Sequence, residues 1–150
     1  MKPKLCFCLD QFIMGGVETT AMVLLHDLKK HYDISLIVES KIKDPYFIDF
    51  FKAQEIPVYC TNNEKPKSFF KRKYWKLWGR YANRNRYKRL FTKADLIIDY
   101  KNLWWADFLT NIKTPKISVF HGSFPVFQKW GIINRINSYD KIICLTNNIL

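Results

Sequence analysis

The sequence predicts an α/β domain with a doubly wound, Rossmann-like and mostly parallel sheet of about six strands. Three observations carry this. Short apolar runs without polar alternation recur along the chain, as strands buried on both faces require. Segments with helical spacing separate them. The first β–α–β unit also closes within about forty residues, a length suited to a right-handed crossover.

Lys4 to Leu9 is the first such run. From Val17 onward Ala21, Leu24, Leu25 and Leu28 recur at helical spacing, with Asp27, Lys29, Lys30 and His31 closing the last turn. Asp33 to Glu39 supplies the second strand through Ile34, Leu36, Ile37 and Val38. Pro45 to Gln54 reads as a short helix with Asp44 as its cap and Pro45 as its first residue. Ile56 to Cys60 is the third strand; its Pro57 implies a late start or a place at the sheet edge. Ala94 to Asp99 is the fourth strand, Leu103 to Asn111 a helix and Lys116 to Gly122 the fifth strand. A short helix around Trp130 to Ile136 and a sixth strand from Tyr139 to Thr146 follow.

At 150 residues and 48% apolar composition the chain suits one domain with a substantial core. Its formal charge of +12 implies attraction to an anionic partner. Cys6, Cys8, Cys60 and Cys144 lack the paired spacing of a zinc site and read as reduced, buried thiols. No metal site is predicted. The apolar run after Lys2 and Lys4 is broken by Asp10 and Gln11, too early for a signal peptide, and nothing later approaches a spanning segment. The expected location is the cytoplasm.

Phe12 to Thr20 is the stretch with the most chemistry. Gly15 and Gly16 let backbone N–H groups approach an anion without a Cβ in the way, and the helix that opens there adds its positive dipole end. The competing explanation is a tight turn that needs glycine only for its backbone angles. Glu18, in the first turn, fits the helix dipole without further duty.

Between Glu64 and Asp95 there is no acidic residue, while twelve lysines and arginines run from Lys65 to Lys93. Phe70, Tyr74, Leu77, Trp78 and Tyr81 fall on one helical stripe, with Lys71, Arg72, Lys76 and Arg80 on its flanks or opposite side; Lys73 and Trp75 lie among them. One reading is a surface helix docking on anionic lipid, where each cation contributes about 1 kcal/mol. Another is a solvated basic helix whose aromatics pack on the sheet. Nucleic-acid binding ranks third, because no recognised module motif accompanies the charge.

Gly15-Gly16-Val17-Glu18 after the first strand, His121-Gly122 at the end of the fifth, and Asp140 to Thr146 as the sixth stand in a telling order. In this order the chain resembles the N-terminal domain of a GT-B glycosyltransferase of the large retaining group often called family 4. That resemblance covers nearly the whole chain. It implies an acceptor-binding domain, a nucleotide-sugar donor and no metal or other cofactor. It sets Gly15 and Gly16 against the donor diphosphate, His121 near the transferred sugar, and Glu18 and Gly122 on the acceptor or sugar side. The implied acceptor is a bacterial cell-surface glycan such as lipopolysaccharide, capsule or a lipid-linked precursor, met at the inner face of the membrane. The second domain of that architecture, with its pair of donor-binding glutamates, has no counterpart in these 150 residues. The expectation is one half of an enzyme, inactive by itself; the alternatives are a membrane-associated or carbohydrate-binding module without catalysis, then a nucleic-acid-binding domain.

Overall fold

A computed structural model of the chain describes residues 1–61, 87–122, 128 and 131–145. Six strands form one sheet: β1 (Lys4–Leu9), β2 (Asp33–Val38), β3 (Val58–Cys60), β4 (Leu96–Asp99), β5 (Lys116–Phe120) and β6 (Lys141–Cys144). Their order is β3-β2-β1-β4-β5-β6, and every neighbouring pair is parallel. This is the doubly wound, Rossmann-like arrangement, with its strand order reversing between β1 and β4.

The pleat of β1 explains how both sheet faces are covered. Successive side chains point to opposite sides. Leu5, Phe7 and Leu9 meet Ile34, Leu36 and Val38 under α1 (Gly16–Leu28) and α2 (Pro45–Ala53), which contribute Ala21, Leu25, Phe47 and Phe51. Cys6 and Cys8 share the other face, as their spacing predicts. They lie with Ile97 against Tyr87 and Phe91 of α3 (87–93) and against Trp105 and Leu109 at α4 (Ala106–Leu109). Burial pushes the Cys6 thiol up to about 12 and raises that of Cys8 as well, so both stay protonated at neutral pH.

Asp44 caps α2 as predicted, its carboxylate accepting from the Tyr46 N–H at 2.9 Å. The third strand starts late and stands at an edge; Pro57 lies before it and accepts from the Leu36 N–H at 2.9 Å.

Three expectations need correction. The helix over Leu103 to Asn111 is reduced to four residues, because tertiary bonds hold the segment before it in a turn. Asn102 N–H donates to the Val119 carbonyl and Leu103 N–H to Ser118 Oγ, both at 3.1 Å, with φ of 52° and 62° at these two residues. The short helix expected around Trp130 is a 3-10 helix at Ile132–Ser138. Cys144 is exposed and Cys60 half-buried, because β6 and β3 are the edge strands.

Most of the basic aromatic segment, with Lys71, Arg72, Lys73, Trp75, Lys76, Trp78 and Arg80, lies outside the described residues. In its described tail Tyr87 and Phe91 pack on the sheet while Lys88 and Arg89 face solvent. Among the described residues no helix is long and apolar enough to cross a membrane.

Candidate functional site at the carboxyl ends of the strands

In an open parallel sheet the loops at the carboxyl ends of the strands flank a crevice where the strand order reverses. In this domain those loops are 10–15 after β1, the residues after Val38 and Asp99, and His121-Gly122 after β5. Gly15, Gly16, Glu18, His121 and Gly122 are all brought to this end.

Phe12 anchors the first loop. Its ring is buried and meets Phe47 and Phe51 of α2 edge-on, with centroids at 5.2 and 5.0 Å. Beyond it the chain enters α1 with Gly15 extended (φ −171°, ψ 169°), and neither Gly15 nor Gly16 has a positive φ. Backbone angles therefore do not demand the glycine pair. A Cβ on Gly15 would lie 2.6 Å from Glu18 Oε2, whereas one on Gly16 would meet nothing within 4 Å. Glu18 is buried against its own helix start, a closer role than a surface charge facing the dipole. No side chain caps α1, and Thr19 and Thr20 turn their hydroxyls back onto the carbonyls of Gly15 and Gly16, each at 2.9 Å. The first-turn N–H groups thus open beside an unfilled space at Gly16.

Tyr100 links this helix start to His121. Its hydroxyl lies 3.4 Å from Thr20 Oγ1, and its ring packs edge-on to the imidazole at 4.4 Å. The His121 N–H donates to Asn102 Oδ1 at 2.7 Å. Burial lowers the His121 pKa, partly opposed by a hydrogen bond from the ring to the Tyr100 backbone and reinforced by Lys101, so the ring is neutral at pH 7. Its Nε2 is buried without a partner.

Sequence reasoning missed further residues at this end. Lys101 forms an ion pair with Asp10 at 3.5 Å across the point where the strand order reverses. Trp104, half exposed, donates from Nε1 to Glu39 Oε2 at 2.9 Å. Beneath them the fully buried Asp99 carboxylate accepts from the N–H groups of Lys101 (3.1 Å) and Trp105 (3.0 Å) and from the Tyr139 hydroxyl. Burial is the main cause raising the Asp99 carboxyl to about 6, and it also pushes the Tyr139 phenol up. All but Tyr139, which precedes β6, stand at or shortly past a strand end, a position that could have flagged them.

A separate open groove of about 280 Å³ runs between α1 and α2, lined by Thr19, Met22, Val23, His26, Tyr46 and Phe50 among others. It holds none of the strand-end side chains. Among the described residues no group of three or more His, Cys, Asp or Glu is placed to hold a metal ion.

Fold and site together define a Rossmann-like α/β domain with polar side chains gathered at the carboxyl ends of its strands. No family model matches the chain, and no curated protein matches it either. Among solved structures it is similar to 1-deoxy-D-xylulose 5-phosphate reductoisomerase from Zymomonas mobilis in complex with NADPH, at 8% identity and a TM-score of 0.45. That similarity covers 97% of this chain and 39% of the reductoisomerase chain, and it bears on neither ligand nor reaction.

Proposed function

We propose that this chain is the acceptor-side domain of a GT-B sugar-transferring enzyme that uses a nucleotide-sugar and builds a bacterial cell-surface glycan. The observation that carries the reading is the space at Gly16. The backbone does not require glycine there, no neighbour fills the Cβ position, and the uncapped first turn of α1 opens beside it. A donor diphosphate suits that place, its growing negative charge facing N–H groups and a helix dipole. His121, tied to the same helix start through Tyr100, stands on the sugar side, with Gly122 beside it. Its neutral ring suits hydrogen bonding to a hydroxyl.

Gly16→Ala separates ligand from structure. Where φ permits it, such a change stabilises by about 0.4–1 kcal/mol through the unfolded state. The expected result is a slightly higher melting temperature together with roughly tenfold weaker binding of a nucleoside diphosphate, about 1.4 kcal/mol. Unchanged affinity in calorimetric titration would count against the diphosphate role.

On sequence alone, the same reading has Lys71, Arg72 and Lys73 docking the domain on an anionic membrane. Neutralising all three is expected to abolish co-sedimentation with phosphatidylglycerol vesicles, at about 1 kcal/mol for each cation lost. Equal sedimentation of the variant and the original chain would refute the docking.

A further inference from the structure

The two sides of the sheet differ in charge. α1 and α2 cover one side and come wholly from residues 1–61, whereas α3 and α4 cover the other. The chain has a formal charge of +12, yet residues 1–61 hold seven lysines, no arginine and eight acidic residues. The α1–α2 side is therefore near neutral, and the whole excess of positive charge lies later in the sequence. Two copies of so basic a chain repel one another, and the repulsion is least where their near-neutral sides meet.

This side also offers apolar surface. Val23, in the middle of α1, is 62% exposed and Tyr46, at the start of α2, is 60% exposed. Met22 and Phe50 line the open groove of about 280 Å³ that runs between the two helices. The core beneath is filled by Ala21, Leu25, Phe47 and Phe51, which leaves Val23 and Tyr46 free to meet a partner.

The charges on the same surface suit a partner that runs the opposite way. Both helices are crossovers of a parallel sheet, so both run from its carboxyl to its amino end. On α2 Asp49 and Lys52 are exposed, about one turn apart. A two-fold axis that crosses the helices between them sets Asp49 of one copy against Lys52 of the second, and Lys52 against Asp49. The same axis lays α1 antiparallel on α1, with Val23 near its own equivalent, and brings Tyr46 toward the exposed Ala53 at the far end of the other α2. Opposed helix dipoles add to the fit. α1 is about 20 Å long and two packed helices are about 20 Å across, which offers on the order of 500 Å² per copy, the size of a weak, reversible interface.

We propose that the α1–α2 face is a self-association surface on which two copies of this chain pair about a two-fold axis, with α2 antiparallel to α2 and Val23 at the centre. The face lies on the flank of the sheet, so the strand ends stay open in the pair, and the pairing is independent of the ligand proposed above.

Sedimentation equilibrium of the chain over about 5–500 μM is the test. The expected result is a monomer–dimer equilibrium with a dissociation constant on the order of 10–100 μM. Val23→Asp is expected to weaken pairing roughly tenfold, although it lowers the net charge and so reduces general repulsion. Asp49→Lys is expected to weaken pairing as well, and Asp49→Lys combined with Lys52→Asp to restore it to within about threefold. A chain that stays monomeric throughout, or a dimer that Val23→Asp leaves intact, overturns the proposal. So does a double variant that is folded by circular dichroism and fails to recover pairing. The concentration series and Val23→Asp decide even if the double variant does not fold.

Discussion

Replacement of Asp99 by alanine is expected to lower the stability of the domain by about 3–5 kcal/mol at pH 7, several times the cost of replacing an exposed polar side chain. The carboxylate is fully buried, and three donors converge on it: the N–H groups of Lys101 and Trp105 and the Tyr139 hydroxyl. The two backbone donors cannot be mutated away, so truncation leaves them unpaired in a dry environment. The segment they belong to also carries the Lys101–Asp10 pair, the Asn102 bond to His121 and the Trp104 bond to Glu39. Urea unfolding gives the stability loss, and amide exchange over 100–105 shows whether this segment loosens first.

The same carboxyl gives a signed pH dependence. Its folded value of about 6 lies above the ordinary 3.8, so between these values the native state holds a proton that the unfolded chain has released. The resulting stabilisation is fully present below the unfolded value, falls as the pH rises, and is gone above about 6. At about 1.4 kcal/mol per pH unit this amounts to about 3 kcal/mol. Asp99→Asn removes the ionisation and should flatten that part of the stability profile; a variant with the same slope between pH 4 and 6 would contradict this assignment.

Phe12→Ala is expected to cost about 3–5 kcal/mol, the usual range for truncating a buried phenylalanine. The ring is 3% exposed and touches both Phe47 and Phe51, so its loss leaves a void between the β1–α1 loop and α2. The consequence reaches the site, since this contact fixes the approach of the chain to Gly15 and Gly16. Thermal unfolding measures the stability loss. Diphosphate binding should weaken alongside it, whereas a stability loss with unchanged binding would show that Phe12 does not position the glycine turn.

The fold was largely legible because its determinants are local. Apolar runs such as Lys4–Leu9 have no other reasonable home than a sheet covered on both faces, and Pro57 marked the edge strand through the N–H it lacks. Legibility ended where distant residues decide a conformation. Leu103 looks helical in its own neighbourhood, yet Ser118 and Val119, from a strand still to come, hold 102 and 103 in a turn. The glycine pair, His121 and Gly122 could be placed at strand ends from their order. Asp10, Lys101 and Trp104 could not be paired with their partners, because a sequence does not show which loops face one another until the order β3-β2-β1-β4-β5-β6 is known. Asp99 looked like the ordinary end of a strand, and only its burial reveals it as the anchor of the loop above it.

The most direct test of the central claim is a ¹H–¹⁵N NMR titration of this chain with uridine diphosphate. The account predicts saturable shifts concentrated at the amides of Gly15, Gly16 and the first turn of α1, with affinity on the order of millimolar for a site that holds only one side of the ligand. Shifts that avoid the glycine turn, or none at saturating ligand, would contradict it.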